Sequence, residues 1–179
     1  MMTPDETGLI ERCMNGDRQS FEVLLVRYQK PVYNAAFRML NSPEDARDVT
    51  QTVFLKVFEN LHRYDPKYKF FSWIYRIALN ESINCLHKQR RMDSLDREPA
   101  SETGGPEEQT SDEQLSAGIQ AALMTLKPDY RTVIVLKHFL DCSYLEISQV
   151  LDIPEKKVKS RLYSARQLLK EALTGSGLH

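Results

Sequence analysis

SYLEISQVLDIPEKKVKSRLYSAR, residues Ser143 to Arg166, reads as two short helices joined by a tight turn, the second of them strongly basic. Ile147, Leu151 and Ile153 on the first helix and turn, with Val158, Leu162, Ala165 and Leu169 on the second, recur at helical spacing and predict one shared apolar face. Ser143 suits an N-cap, Glu146 three residues on can close a capping box, and Pro154 suits the first turn of the second helix, where a missing N–H costs little. Asp152 stands at the turn, a position that calls for a residue tolerant of positive φ. From Pro154 to Lys170, six bases (Lys156, Lys157, Lys159, Arg161, Arg166, Lys170) accompany one acid, Glu155, a net charge of +5. Such a helix has the charge to follow phosphates and the shape to enter the major groove of DNA. A solvated basic face on an ordinary surface helix is the alternative, and Ser160 and Tyr163 among the bases weigh against it.

The whole-chain charge of −1 over 179 residues conceals this segment. Residues 92–113 hold eight acids against Arg97, a net −7, so the remainder carries +6. The same stretch contains Pro99, Gly104, Gly105 and Pro106 with almost nothing to bury, which predicts a flexible acidic linker between two folded blocks, 5–91 and 114–173.

Every periodic segment of the first block is helical, so the expected fold class is all-α: two small helical domains. Phe21, Leu24, Leu25 and Tyr28 share a face, continued by Val32, Ala35, Ala36, Met39 and Leu40 beyond Pro31, where the pattern predicts a kink or a restart. Ser42 as N-cap, Pro43, and the acids Glu44 and Asp45 open a new helix that turns Val49, Val53, Val57 and Leu61 inward. A last helix is expected to bury Trp73, Ile77 and Leu86.

From Arg63 to Arg91, seven bases against Asp65 and Glu81 give a second net +5, interleaved with Tyr64, Tyr68, Phe70, Phe71, Trp73 and Tyr75. Basic charge tracks a phosphate backbone while aromatic faces stack unpaired bases, a combination suited to single-stranded or opened DNA. Part of that aromatic content must be core.

Enzymatic readings find no support. The four histidines lie far apart, none beside a nucleophile or paired carboxylates, and Cys13, Cys85 and Cys142 lack metal-ligand spacing. No cofactor or small-molecule substrate is expected. An odd cysteine count, no apolar run of membrane length and an N-terminus without a signal core point to the cytoplasm.

In this order, the motifs resemble an extracytoplasmic-function sigma factor of bacterial RNA polymerase, a sigma with regions 2 and 4 alone. NGDRQSFEVLLVRYQKPVYNAAFRML (15–40) resembles the start of region 2, DARDVTQTVFLKVFENL (45–61) its polymerase-binding helix, and FFSWIYRIALNESINCLHKQRR (70–91) its promoter-melting and minus-10 part. LKPDYRTVIVLKHFLDCSYLEISQVLDIPEKKVKSRLYSARQLLKEAL (126–173) resembles region 4.

The resemblance implies roles residue by residue. Arg27, Tyr28, Asp45, Asp48, Gln51 and Phe54 match positions that dock on the clamp helices of the polymerase's largest subunit; region 4 would meet the flap. The loop from Asp65 to Lys69 matches the family loop that captures a flipped base, giving a minus-10 set of Tyr64, Lys67, Tyr68, Lys69, Phe71, Arg76, Asn80, Lys88, Arg90 and Arg91. Lys159, Ser160, Arg161 and Tyr163 would face the minus-35 major groove, with Lys156, Lys157 and Arg166 on phosphates. The implied partners are core RNA polymerase, promoter DNA and a membrane-anchored anti-sigma factor. Thr52, Asn84 and Ser164 depart from residues common in the family (Glu, Asp and Arg). A stand-alone helix-turn-helix regulator would explain the C-terminal block but leave the Asp45, Asp48 and Gln51 face without a purpose.

Overall fold

The computed structural model describes residues 4–93 and 111–175, and every regular element among them is helical. The expected linker, residues 92–113, lies for most of its length outside the described residues.

The first bundle comprises α1 (Pro4–Met14), α2 (Arg18–Leu40), α3 (Pro43–Asn60) and α4 (Phe70–Asp93), with a single 3₁₀ turn at Leu61–Arg63. Its boundaries are set by local chemistry. Asp17 caps α2 by accepting from the Gln19 and Ser20 backbone N–H groups, and Asn41 closes it in the left-handed region (φ 55°). Ser42 then caps α3 by accepting from the Asp45 N–H, as expected. α2 runs unbroken through Pro31. The proline forgoes one ladder bond, but Leu24, Tyr28, Val32, Ala35, Ala36 and Met39 bury on both sides of it, and that shared burial holds the two halves in one helix.

Along α3, Val49, Val53 and Val57, followed by Leu61, face inward as their spacing predicts. On α4 the buried stripe is instead Phe70, Ile74, Ala78, Leu79 and Ser82, while Trp73, Ile77 and Leu86 are only half-buried. The stripe lies one residue round the helix from the expected one.

The second bundle comprises α5 (Ser111–Thr125), α6 (Pro128–Ile134), α7 (Tyr144–Leu151) and α8 (Glu155–Gly175); α6 passes into a π-helical segment, Val135–Phe139. Val133 to Leu136 and Ile147 are fully buried, with Val158, Leu162 and Ala165 of α8 packed on them. The buried apolar side chains of both bundles form one continuous cluster, because α2 packs on α5, α6 and the π segment, and α4 packs on α7. Arg131 stands at that junction, 3 % exposed, donating to the carbonyls of Leu123 (3.0 Å), Met124 (2.9 Å), Leu126 (3.0 Å) and, in the other bundle, Met39.

Candidate nucleic-acid interface and docking groove

In the second bundle, α7 begins with the predicted capping box: the Glu146 N–H donates to Ser143 Oγ (3.2 Å) and the Ser143 N–H to Glu146 Oε2 (2.7 Å). The turn follows through Asp152 at φ 54°, ψ 47°, and the Ser148 hydroxyl donates to the Ile153 carbonyl (2.6 Å). Pro154 sits just before α8, its carbonyl taking the Val158 N–H at 3.1 Å. With Val158, Leu162 and Ala165 turned inward, the opposite face presents Lys156, Lys157, Lys159, Ser160 and Tyr163 to solvent. Lys159 and Lys137 both lie 5.6 Å from the centre of the Tyr144 ring. Two predicted residues are committed elsewhere. Arg161, its side chain 20 % exposed, pairs with Asp129 at 3.3 Å, and Arg166, though exposed, donates to His138 Nε2 at 3.2 Å.

In the first bundle, the basic aromatic block divides into core and surface. Tyr64 is buried against Phe70 (5.4 Å) and Trp73 (5.5 Å), its hydroxyl donating to the Tyr68 carbonyl at 2.5 Å. Burial pushes that phenol up to about 12. Tyr64 therefore shapes the loop, and Tyr68 is the ring that the loop exposes. Asp65 tightens it by accepting from the Lys67 N–H at 2.9 Å. Phe71 is half-buried beside Tyr75, with the Lys69 ammonium 5.4 Å from its ring. Asn80, Lys88, Arg90 and Arg91 are exposed along the rest of α4.

A cavity of about 770 Å³ has this loop as one wall and the helix-turn-helix turn as the other. Of the predicted minus-10 residues it takes in Tyr64, Tyr68 and Arg76; Lys67, Lys69, Phe71 and Asn80 lie outside its lining. Arg76 donates from Nε to the Val150 carbonyl (3.1 Å) and from a terminal nitrogen to the Gln149 carbonyl. Lys69 pairs with Glu146 at 2.5 Å. The bond from Glu146 raises the Lys69 pKa, and the Glu146 carboxyl, although burial opposes its ionisation, is held below its ordinary value by Lys69 and Ser143.

A groove of about 890 Å³ runs between α2 and α3, lined by Phe21, Leu25, Val26, Tyr33, Gln51, Phe54, Leu55 and Phe58, with Arg18, Glu22, Lys30 and Arg47 also on its walls. Val26, Leu55 and Phe58 are 74 %, 57 % and 59 % exposed. Of the predicted polymerase-facing residues, Gln51 and Phe54 line it. Asp48 is exposed outside the lining, and Asp45 is half-buried and accepts from Gln89 at 2.9 Å. Tyr28 is buried, its hydroxyl bonded to Glu6 at 2.7 Å, and Arg27 reaches the same carboxylate at 3.3 Å. Burial, then the Glu6 bond, drives the Tyr28 phenol far above its usual value, so it serves the α1–α2 packing. The groove residues Val26, Leu55 and Phe58 were not anticipated, although their sequence signal exists: they are apolar residues off the core stripe of their helices.

Among the described residues, no helix is long and apolar enough to cross a membrane, and no group of His, Cys, Asp and Glu is arranged to hold a metal ion.

The chain matches the Sigma-70 region 2 family over residues 24–92 and the Sigma-70 region 4 family over residues 116–169. It is 32% identical to the ECF RNA polymerase sigma factor SigW of Bacillus subtilis, over 92% of this chain and 94% of that one. It is also 33% identical to the ECF RNA polymerase sigma-E factor of Escherichia coli K12, over 90% of each. Among solved structures, CnrH in complex with the cytosolic domain of CnrY superposes with a TM-score of 0.74 at 24% identity, covering 93% of this chain and 96% of that one, which shows the shared fold. With both region families in order along the chain and relatives aligned over nearly their whole length, the chain belongs to the ECF family of RNA polymerase sigma factors, which are non-enzymatic transcription initiation factors.

Proposed function

We propose that this chain docks on core RNA polymerase through the α2/α3 groove and directs initiation by reading two promoter elements. The outer face of α8 (Lys156, Lys157, Lys159, Ser160, Tyr163) takes the minus-35 duplex, phosphates on the lysines and base edges on Ser160 and Tyr163. The loop with Tyr68 and Lys69 and the α4 cations Arg76, Lys88, Arg90 and Arg91 take the opened minus-10 strand. The observation that carries the reading is the groove itself. A chain that served only as a helix-turn-helix regulator has no use for Val26, Leu55 and Phe58 held in solvent on the other bundle.

The packing of the two bundles supports a scaffolded reader. Two elements about 16 base pairs apart are separated by about 55 Å at 3.4 Å per pair, whereas the two bundles of the chain share one buried apolar cluster. Polymerase, holding both bundles, supplies the spacing that the chain alone does not. In the CnrH structure the partner is a cytosolic domain of CnrY; a membrane-anchored anti-sigma factor acting in the cytoplasm is the corresponding partner in this reading. Run-off transcription with purified core polymerase on a promoter library, with and without the chain, tests it. Start sites that require the chain are expected, and none would end the proposal.

A further inference from the structure

The loop between the 3₁₀ turn and α4 is closed by its own hydrogen bonds. The Tyr68 N–H donates to the Asp65 carbonyl at 3.1 Å and the Lys67 N–H to Asp65 Oδ1 at 2.9 Å, around Pro66, whose ring fixes one backbone angle. The Tyr68 carbonyl takes the Tyr64 hydroxyl at 2.5 Å, and the Lys69 carbonyl takes the Ser72 N–H at 3.0 Å. The carbonyls of Asp65, Tyr68 and Lys69 are therefore all supplied, two by backbone and one by a side chain. That side chain, Tyr64, ties the exposed end of the loop to the buried core.

The Tyr64 hydroxyl has little freedom to move. Its ring packs edge-on against Phe70, Phe70 packs on Tyr28 at 5.4 Å, and the Tyr28 hydroxyl is bonded at 2.7 Å to Glu6, a buried carboxylate of α1. A line of contacts thus runs from α1 through α2 and α4 to the loop, and it fixes the point from which Tyr64 donates. The same turn sets the Lys67 ammonium 5.8 Å from the centre of the Tyr68 ring, which is 46 % exposed. A stacking face with a cation beside it is the pairing that an unpaired strand requires.

We infer that Tyr64 is a positioning residue for strand capture: its hydroxyl, with the Asp65 carboxylate, sets the loop before the strand arrives, so that Tyr68 meets a base already in place. This rests on the minus-10 assignment of Tyr68. Ordering a loop at the moment of binding subtracts from affinity, and a loop competent for only part of the time binds more weakly by that fraction. A loop whose bonds are already made escapes both losses. Tyr64, being buried, acts through Tyr68 and makes no contact with the strand.

The test compares the full-length parent with Y64F, Y68A, the Y64F/Y68A double variant, D65A and D65N. Phenylalanine keeps the packed ring and removes only the donor. D65A and D65N remove the same charge, and only asparagine keeps the Oδ1 acceptor. Anisotropy of a labelled random-sequence single strand of about 12 nucleotides reads capture, and that of a random-sequence duplex reads α8. Y64F is expected to lose about two- to tenfold in single-strand affinity with duplex affinity unchanged, and D65A to bind the strand about two- to tenfold more weakly than D65N. In the Y68A background the Y64F change is expected to cost less than about twofold, since the ring it positions is gone. The inference is overturned by a folded Y64F that binds the strand like the parent, by a loss equal on strand and duplex, by a loss that persists in full without Tyr68, or by D65A matching D65N. Any of these beside a weakened Y68A removes the positioning role alone. A Y68A that binds the strand as tightly as the parent removes the minus-10 reading of Tyr68 and the inference with it.

Discussion

Arg131 donates to the carbonyl of Met39, 92 positions earlier, while its remaining nitrogens close the C-terminus of α5. Among the described residues no carboxylate pairs with it; burial lowers its pKa, yet arginine stays charged, and the carbonyls supply the acceptors that burial demands.

Replacing Arg131 by methionine keeps much of the volume, removes the donor that Arg131 gives to the Met124, Leu126 and Met39 carbonyls, and leaves the Leu123 carbonyl with the Leu126 N–H alone. The expected loss is about 3–5 kcal/mol, a fall in melting temperature of about 10 °C for a chain of this size. Lysine retains the charge but not the planar fork, so R131K should recover only part of the loss. A melting temperature within 2 °C of the parent for R131M, by circular dichroism, would refute the capping role.

Glu146 confers a specific acid sensitivity. Its carboxyl is held below the ordinary value near 4.5, since the Lys69 and Ser143 bonds outweigh burial. A depressed folded-state pKa contributes stability above the unfolded value and loses it as pH falls through the folded one. Between about pH 5 and pH 3 the parent should therefore lose melting temperature faster than E146Q, and the gap should close at lower pH. Parallel curves would show that Glu146 is not the titrating group.

Leu55 projects into the groove from α3 at 57 % exposure, so an aspartate there disturbs no packed core. L55D should unfold within about 0.5 kcal/mol of the parent while its affinity for core polymerase falls at least about tenfold, since a charge would then have to be desolvated at a docking face. Urea unfolding reads the first quantity and analytical co-elution with core polymerase the second. Undiminished binding would move the docking site elsewhere on the chain.

At the turn, Asp152 holds φ 54° without glycine's freedom. D152A should cost about 1 kcal/mol, because alanine lacks aspartate's local hydrogen bonding in the left-handed region; D152G should be at least as stable as the parent. Urea unfolding of the three proteins decides it.

What the sequence made legible was local. The capping and turn roles of Ser42, Ser143, Glu146 and Asp152 reach no further than four residues, and the valines of α3 form one regular stripe, so spacing sufficed. The α4 stripe was misread by one residue because Phe70, Ile74 and Ala78 recur as regularly as Trp73 and Ile77; packing by α2, α3 and α7 makes the choice. Arg161 was placed among the groove-facing residues by its match to the family's recognition helix, whereas in the fold it pairs with Asp129, 32 positions away. The interdomain bonds of Arg76, Gln120 and Arg131 were least visible of all, since their partners are backbone carbonyls and carry no residue identity.

The last difference separates two residues two positions apart on α8. Lys159 is exposed, its ammonium 5.6 Å from the Tyr144 ring centre, whereas Arg161 is mostly covered and paired with Asp129 at 3.3 Å. A lysine that holds a phosphate releases a counterion, so K159A should flatten the slope of log affinity against log salt for duplex binding by about 0.9. R161A should leave that slope unchanged and act through stability instead. Because Asp129 is well exposed, the pair is worth no more than about 1 kcal/mol, and R161A, D129A and the double variant should lose similar amounts, a signature of coupling that a double-mutant cycle measures. A flattened slope in R161A would return that side chain to the groove-facing set, with its Asp129 partner given up on binding DNA.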